Sequence, residues 1–494
     1  MSGRSSARFY LAVGIVVVMA AIATGPVAIS PARLAAADAN AKLTEKVDAL
    51  FAAWDKTTSP GAALAVIKDG KIVYERGYGM AKLEDGIVNT PEKVFDIGSV
   101  SKQFTAACVA MLVRDGKVKV EDDIRKYLPE MPAYEKPVLV RHLLHHTSGL
   151  RDYNALLALA GFREDADSPT VAEAVEVIRR QKKLNYLPGE EYSYTNTGFF
   201  LLSQIVERVS GKSLNAFAQE RIFKPLGMTK TLFQDDHTQI IKDRATGYAA
   251  GEGGTFRISL SNWDETGDGN VYTTVRDLAK WDQAFYSGAL GKDLTDMLQT
   301  TEPLNSGKKN DYAWGLGVHE YRGLKVVEHG GAWVGFRAAL VRFPEQKFSV
   351  IILSNLDTFD PSGLAFKVAD IYLAGQFKGP EKPRARRPEP KIPAIKLSSS
   401  ELEAYAGTYV SEELLDVRYT LSVKDGQLAV AMRTLPPTPM KATGKDKFAL
   451  PEAGIDIAFT RNRSGKVDGF TLDAGRASGI AFRKVAADHA TDSL

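Results

Sequence analysis

A serine and a lysine three residues apart are the first pair in this sequence that could do chemistry. Ser99 follows Gly98 at the predicted start of a helix, and Lys102 lies three positions later. Residues i and i+3 share one face of a helix, so the hydroxyl and the amine can meet. A serine hydroxyl is a poor nucleophile without a neighbouring base, and a desolvated lysine can be that base. The alternative is an N-cap serine beside an exposed lysine.

The Ser-x-x-Lys pattern alone is a weak signal because it occurs twice. The second match, at Ser306 and Lys309, lies in the polar run Asn-Ser-Gly-Lys-Lys-Asn. No predicted helix or apolar neighbour would bury a lysine there, and a buried position is what lowers the pKa of an amine. We therefore interpret the second match as chance and look for groups that support Ser99.

Two short patterns supply such groups. Tyr194-x-Asn196 precedes an apolar helix. Its phenol can carry protons between a serine and a lysine, and its amide can bind a substrate amide. His329-x-Gly331 opens a predicted strand, along which glycines would let a substrate backbone lie close. The alternatives are a packed surface tyrosine with a capping asparagine, and a turn with an incidental histidine.

The elements that must position these residues are helices and strands in mixed order. Residues 61–78 predict a hairpin, residues 99–114 and 199–209 show helical apolar spacing, and residues 331–355 predict two or three strands. Strands at both ends of a stretch with helices between them indicate an α+β body whose terminal segments share one sheet.

The chain changes character after residue 377. Residues 378–391 hold four prolines, six basic residues and two acids, which predicts an extended linker over 378–396. Short alternating segments separated by turn signals follow, at 406–410, 418–423, 427–432, 455–460 and 480–485. They predict a small antiparallel β-domain over 397–494, either a barrel or a sandwich.

Residues 1–37 have the composition of an export signal. Arg4 and Arg8 precede a long uncharged stretch, and A-x-A cleavage patterns lie between Ala35 and Ala39. We predict a secretory signal peptide and a secreted or periplasmic protein, with an uncleaved leader as inner-membrane tether as the alternative. The formal charge of +3 arises entirely in this leader. The neutral remainder gives no support to nucleic-acid binding, which needs a basic face.

The cysteine and histidine content predicts neither a metal nor a cofactor. Cys108 is the one cysteine, so a disulfide framework and a cysteine zinc site are excluded. It lies in an apolar run, which favours a core position over a catalytic thiol. His142 and His146 are spaced like a metal pair, but no third ligand with suitable spacing accompanies them. We interpret both as core or capping histidines.

Taken together, the three motifs resemble the serine β-lactamase-like superfamily, which contains class C β-lactamases, D,D-carboxypeptidases, D-aminopeptidases and related esterases. The match covers about residues 45–376 and includes supporting segments at 143–150, 188–190, 225–228, 267–269, 274–278, 314–317 and 335–336. The resemblance implies an antiparallel β-lactamase/transpeptidase-like sheet flanked by helices. It also implies that Ser99 is acylated, that Lys102 accepts its proton, and that Tyr194 shuttles the proton to the leaving group and later activates water.

The same resemblance implies substrate-binding roles. Asn196 would bind the substrate amide, and Gly331 belongs to the substrate-binding strand. His329 would polarise the motif tyrosine or bind a carboxylate, and the backbone N–H groups of Ala332 and the nucleophile would form the oxyanion hole. Enzymes specialised for β-lactams usually carry lysine where His329 stands. This departure weakens the case for penicillin hydrolysis and favours a peptidase or an esterase.

The sequence therefore predicts four segments: a signal peptide over 1–37, a hydrolase domain over 38–377, the linker and the β-domain. The β-domain resembles the lipocalin-like modules of D-aminopeptidase-type relatives, in which a loop of the module can enter the active site. The leading hypothesis is an exported serine hydrolase acting on D-amino-acid peptides, amides or esters. The alternatives are a carboxylesterase or weak β-lactamase of the same fold and, from another class, a penicillin-recognising sensor. The sequence predicts no oligomeric state.

Overall fold

The structure is a computed structural model that describes residues 31–380 and 395–486, except Thr434. The predicted signal peptide up to residue 30 and the central part of the predicted linker lie outside the described residues. The contacts within the chain separate Met1–Lys46 from Val47–Leu494. All residues of the candidate site belong to the second unit.

The described residues form eleven α-helices. Their bounds are α1 Pro31–Phe51, α2 Lys102–Arg114, α3 Val140–Leu144, α4 Tyr153–Leu159, α5 Val171–Arg179, α6 Asn196–Ser210, α7 Leu214–Ala218, α8 Val275–Ser287, α9 Lys292–Gln299, α10 Pro361–Tyr372 and α11 Ser399–Glu403. Within the described ranges, no helix has the length and apolar character that a membrane crossing needs.

Among the described residues, thirteen strands precede the predicted linker. They are β1 Ala62–Lys68, β2 Lys71–Tyr78, β3 Met80–Lys82, β4 Ile87–Val88, β5 Phe95–Asp96, β6 Leu232–Phe233, β7 Tyr248–Ala250, β8 Phe256–Ile258, β9 Val271–Thr273, β10 Gly317–Tyr321, β11 Leu324–Trp333, β12 Phe336–Phe343 and β13 Phe348–Ser354. Six of them form one antiparallel sheet in the order β10-β11-β12-β13-β1-β2. The prediction that the two ends of the body share one sheet is confirmed.

Strand β1 is buried on both faces, which explains its continuous apolar sequence. Successive side chains of a strand point to opposite faces. Ala63, Ala65 and Ile67 accordingly pack in the core that contains α2, and Ala62, Leu64 and Val66 pack in the core under α10. The sheet therefore lies between two helical layers, as the α+β prediction requires.

Helix α2 is buried, and it directly follows the turn that contains the candidate nucleophile. A 3-10 turn over Gly98–Ser101 runs directly into it, and every residue from Lys102 to Leu112 is buried. Cys108 lies in this core, where burial raises the pKa of its thiol. The start of α2 lies against β11 so closely that a Cβ on Gly331 would come within 1.9 Å of the Ile97 carbonyl oxygen. This approach requires glycine.

The C-terminal region is a nearly closed antiparallel β-barrel. Its strands are β14 Gly407–Ser411, β15 Val417–Lys424, β16 Gln427–Met432, β17 Leu435–Pro439, β18 Lys441–Gly444, β19 Lys447–Leu450, β20 Ile455–Arg461, β21 Val467–Ala474 and β22 Ala477–Val485. They pair in the order β17-β16-β15-β14-β22-β21-β20-β19-β18. The prediction missed four of them because β17 contains three prolines, β18 and β19 are short, and β21 contains Asp and Gly.

The barrel packs against the body through a buried ion pair. Arg151 Nη1 lies 2.9 Å from Glu413 Oε1, and both side chains are more than nine-tenths buried. The Tyr419 hydroxyl donates a hydrogen bond to the Leu159 carbonyl oxygen at 2.7 Å. Arg151 directly precedes Asp152, which contacts the candidate site. This interface and the site therefore share one segment of the chain.

We expect Glu413→Ala to lower the free energy of unfolding by about 3–5 kcal/mol, because removing one partner leaves the buried Arg151 charge uncompensated. Urea denaturation of the purified chain measures this. The matched control is Glu412→Ala, which breaks an exposed pair with Lys182 and should cost no more than about 1 kcal/mol. Equal effects of the two substitutions would contradict the assignment.

Candidate active site

Lys102 lies beside the predicted nucleophile. Its Nζ donates hydrogen bonds to Ser99 Oγ at 3.0 Å, to Asn196 Oδ1 at 2.9 Å and to the Asp268 carbonyl oxygen at 2.7 Å. The first contact is the one that the i, i+3 spacing predicts. Once deprotonated, the amine can accept the serine proton along the same line.

The electrostatics of Lys102 suit a base. Burial lowers the pKa of its amine to about 8, although the charges of Asp268 and Asp152 raise that pKa. The Arg476 guanidinium lowers it further. An amine with a pKa near the working pH is present in part as the free base, which is the form that can accept a proton.

Tyr194 packs beside the Lys102 amine. Lys102 Nζ is 5.0 Å from the centre of the Tyr194 ring, and the ring packs 4.2 Å from that of His146. The buried phenol has no hydrogen-bond partner of good geometry among the described residues. Burial raises its pKa, and the Ser99 hydroxyl is near enough to lower it. The phenol is therefore protonated at neutral pH and available to donate.

Asn196 is fixed at the start of α6. Its backbone N–H donates to Asp152 Oδ2 at 2.6 Å, and its side-chain Oδ1 accepts from Lys102. With Oδ1 engaged, the Nδ2 donor is the part of the amide that can bind a substrate carbonyl. The structure thus brings Asn196 to the nucleophile and leaves it one substrate-facing group.

His329 lies at the site, and its hydrogen bonds define its tautomer. Nδ1 is 2.5 Å from the Gly330 carbonyl oxygen, which can only accept, so Nδ1 carries the proton. Nε2 then accepts from the Tyr312 hydroxyl at 2.9 Å. Burial and the nearby Lys102 charge lower the pKa of the ring to about 4, so it is neutral near pH 7. The centre of its ring is 6.1 Å from that of the Tyr194 ring.

The end of β11 lies against the turn that carries the nucleophile. Gly98 has φ +48, and a Cβ placed on it would lie 2.8 Å from the Ala332 backbone nitrogen. Gly331 makes the neighbouring close approach. The backbone N–H groups of Ala332 and Ser99 are thus held on adjacent segments, the arrangement that two oxyanion-hole donors need.

These groups surround one cavity of about 1060 Å³. The seventh predicted site residue, Lys102, is buried beneath the cavity wall. The other six line the cavity: Ser99, Tyr194, Asn196, His329, Gly331 and Ala332. His142 and His146, the pair spaced like metal ligands, face different partners. His142 Nδ1 accepts from the Leu139 N–H, and His146 Nδ1 accepts from the Thr195 N–H.

Sequence reasoning missed the acids that hold the site together. Asp268 accepts from the amine of Lys102 through its backbone, and its carboxylate accepts from the Tyr153 hydroxyl at 3.1 Å. Asp152 accepts from the N–H groups of Asn196 and Ala155. The segment 267–269 matched the family pattern, but nothing in the sequence indicated that a carbonyl there would hold the lysine.

A loop of the barrel also reaches the cavity. Arg476, between β21 and β22, places its guanidinium carbon 5.1 Å from the centre of the Tyr194 ring. The Arg476 carbonyl oxygen accepts from Asp152 N at 3.2 Å and from Asn185 Nδ2 at 2.9 Å. The sequence predicted a turn just before Arg476, but it did not predict that this turn would lie beside Tyr194.

Comparisons with known proteins find similar hydrolases and penicillin-binding proteins. A D-aminopeptidase of Brucella anthropi is 35% identical over 325 residues, 64% of this chain and 59% of that protein. Penicillin-binding protein 4* of Bacillus subtilis is 28% identical over 421 residues, 81% of this chain and 90% of that protein. The chain thus spans 59% of the length of that D-aminopeptidase.

The fold is shared with solved structures. The octameric penicillin-binding protein homologue from Pyrococcus abyssi superimposes with a TM-score of 0.59 at 24% identity, over 89% of this chain and 96% of that one. The Beta-lactamase family matches residues 45–372, which include the 3-10 turn, α2, α6 and β11. Since that match covers well over half of its length, this chain belongs to the Beta-lactamase family.

Proposed function

We propose that this chain is an exported serine hydrolase that cleaves D-amino-acid peptides, amides or esters through an acyl-enzyme on Ser99. The observation that carries the proposal is the buried amine of Lys102, 3.0 Å from the serine hydroxyl and with its pKa lowered to about 8. The D-aminopeptidase relatives support the substrate class. Export is proposed from the sequence of residues 1–37 alone.

Acylation would begin at the Lys102 amine. The neutral Nζ takes the proton of Ser99 Oγ, and the oxygen attacks the substrate carbonyl carbon. The carbonyl oxygen becomes negative, and the backbone N–H groups of Ser99 and Ala332 stabilise it. The Tyr194 phenol protonates the leaving nitrogen or oxygen as its bond to carbon breaks, and the proton on Lys102 returns to the phenolate.

Deacylation would reverse these roles with water. The hydrolytic water loses a proton towards the Tyr194 and Lys102 pair and attacks the ester carbon of the acyl-enzyme. Collapse of the second tetrahedral intermediate releases the acid and returns the proton to Ser99 Oγ. All atoms and protons are accounted for, and Lys102 and Tyr194 regain their starting protonation states.

The charge state of His329 determines which candidate substrates we favour. Every penicillin carries a carboxylate, and a neutral His329 provides no positive charge for it. We therefore place peptidase or esterase activity ahead of β-lactamase activity. A complete set of Ser99, Lys102 and Tyr194 around one cavity favours turnover over an inert penicillin sensor.

Covalent labelling tests the nucleophile. Mass spectrometry after incubation with an activity-based phosphonate should find one adduct, on Ser99, and none in Ser99→Ala. Ser306→Ala is the matched control, because it removes the serine of the second Ser-x-x-Lys match and should leave labelling unchanged. A label on another serine, or full labelling of Ser99→Ala, would refute the mechanism.

The pH profile tests the base. If neutral Lys102 is the base, kcat/KM falls as the pH drops below the pKa of its amine, about 8. Arg476→Ala removes a positive charge that lowers this pKa, so the acidic limb should move to higher pH. Arg463→Ala, an exposed position in the barrel, is the control and should leave the limb in place. An unmoved limb in Arg476→Ala would contradict the assignment.

A further inference from the structure

His329 has a buried neighbour that the proposed mechanism does not use. The Tyr312 hydroxyl donates a hydrogen bond to His329 Nε2 at 2.9 Å, and both residues are more than nine-tenths buried. Burial raises the pKa of the Tyr312 phenol well above its usual value of 10. The hydroxyl therefore keeps its proton at working pH and remains a donor to the imidazole.

Both ring nitrogens of His329 are engaged by the protein. Nδ1 donates to the Gly330 carbonyl oxygen at 2.5 Å, and Nε2 accepts from Tyr312. A neutral imidazole has a single N–H donor, and here that donor is already used. A carboxylate only accepts, so His329 can bind one only by breaking a bond that it now makes. The Tyr312 bond also stabilises the neutral ring, because it needs the lone pair on Nε2.

The position of Tyr312 is fixed by its own contacts. Its carbonyl oxygen lies 3.0 Å from His145 Nδ1. The centre of its ring is 4.4 Å from that of the His146 ring and 6.0 Å from that of the Tyr194 ring. The Tyr312 ring, and with it the hydroxyl oxygen, is therefore held against His329.

A second cavity, of about 740 Å³, adjoins the cavity that holds Ser99. Tyr194, His329 and Gly330 line both cavities, and Tyr312 lines the second. In the proposed mechanism the Tyr194 phenol protonates the leaving group, so that group departs on the Tyr194 side. Cavities of about 300–1,000 Å³ hold drug-sized ligands. The leaving group of the substrate therefore has room beside His329 and Tyr312.

The charges around the second cavity also disfavour a carboxylate. Its lining contains four acids and two lysines: Glu190, Glu191, Asp311, Glu328, Lys308 and Lys309. Lys309 Nζ lies 2.6 Å from Asp311 Oδ1, so this lysine already has a carboxylate partner. A cavity lined mainly by one sign of charge favours ligands of the other sign. The charges of the wall and the hydrogen bonds of His329 thus act in the same direction.

We propose that Tyr312 is a specificity-determining residue, which denies a donor to any carboxylate beside His329. This inference rests on the proposed function and makes it narrower. The preferred substrate is an amide, an ester or a peptide whose leaving group has no free carboxylate next to the scissile bond. Tyr312 acts through His329, so it is a positioning residue and not a catalytic one.

Two dipeptides that differ in one group test this directly. D-alanyl-D-alanine and D-alanyl-D-alaninamide share the scissile bond, and only the first carries a carboxylate after it. We expect the wild-type chain to cleave the amide with the higher kcat/KM, measured by chromatography of the products of that bond. Tyr312→Phe frees Nε2 to take a proton and bind the carboxylate. It should reduce the preference about tenfold, through the KM of the acid, as one added charge-assisted hydrogen bond implies.

Further variants separate this effect from a general disturbance of the cavity. Tyr192→Phe removes another hydroxyl from the wall of the second cavity, but Tyr192 is not a hydrogen-bond partner of His329. It should leave the preference unchanged. In His329→Ala, adding Tyr312→Phe should have no further effect on the preference, because the imidazole is gone. If Tyr312→Phe does not fold, His329→Lys supplies a donor directly and should reduce the preference by itself.

Several outcomes would overturn the inference while leaving the proposed function intact. They are equal wild-type kcat/KM values for the two dipeptides, an unchanged preference in folded Tyr312→Phe or in His329→Lys, and an equal loss of preference in Tyr192→Phe. An effect of Tyr312→Phe that persists in His329→Ala would do the same, because Tyr312 would then act without the imidazole.

A binding measurement separates the inference from the proposed function. If the wild-type chain hydrolyses neither dipeptide, the proposed function fails, and calorimetry on Ser99→Ala still decides the role of Tyr312. We expect D-alanyl-D-alaninamide to bind more tightly than D-alanyl-D-alanine, and Tyr312→Phe in the same background to reduce the difference. Equal binding of the two dipeptides, binding of neither, or an unchanged difference would overturn the inference.

Discussion

The burial of one amine at the start of α2 is the constraint on which the site depends. Transfer of an ammonium group from water into a protein costs several kcal/mol unless hydrogen bonds compensate. Around Lys102 the compensation comes from Ser99, Asn196 and the Asp268 carbonyl, all neutral acceptors. Because no carboxylate of the described residues contacts Nζ directly, the charged form is only partly stabilised and burial lowers the pKa of the amine to about 8.

These acceptors come from three distant parts of the chain, so only the folded body brings them together around Lys102. The 3-10 turn supplies the serine, α6 supplies the asparagine, and the loop before β9 supplies the carbonyl. The barrel contributes as well. It adds the Arg476 charge beside Tyr194, and its Glu413 forms an ion pair with Arg151, the residue before Asp152. We infer that the barrel tunes the site that the body builds.

Local patterns predicted the parts of this structure that depend on local geometry. The contact between Ser99 and Lys102 follows from helical spacing, and the central sheet follows from strands at both ends of the body. The Asp268 carbonyl was not predictable, because any residue has one and only the loop conformation aims it at the amine. The Tyr312 partner of His329 and the position of Arg476 depend on packing between elements far apart in sequence.

The protonation state of Lys102 decides whether it can act as the base, and a direct titration measures that state. Carbon-13 labelling of the lysine side chains would let NMR follow its Cε resonance with pH, assigned by its absence in Lys102→Gln. A midpoint near 8 is the predicted result. A midpoint at the ordinary lysine value of 10.5 would show that the amine remains charged at working pH, and it would contradict the account of Lys102 as the base.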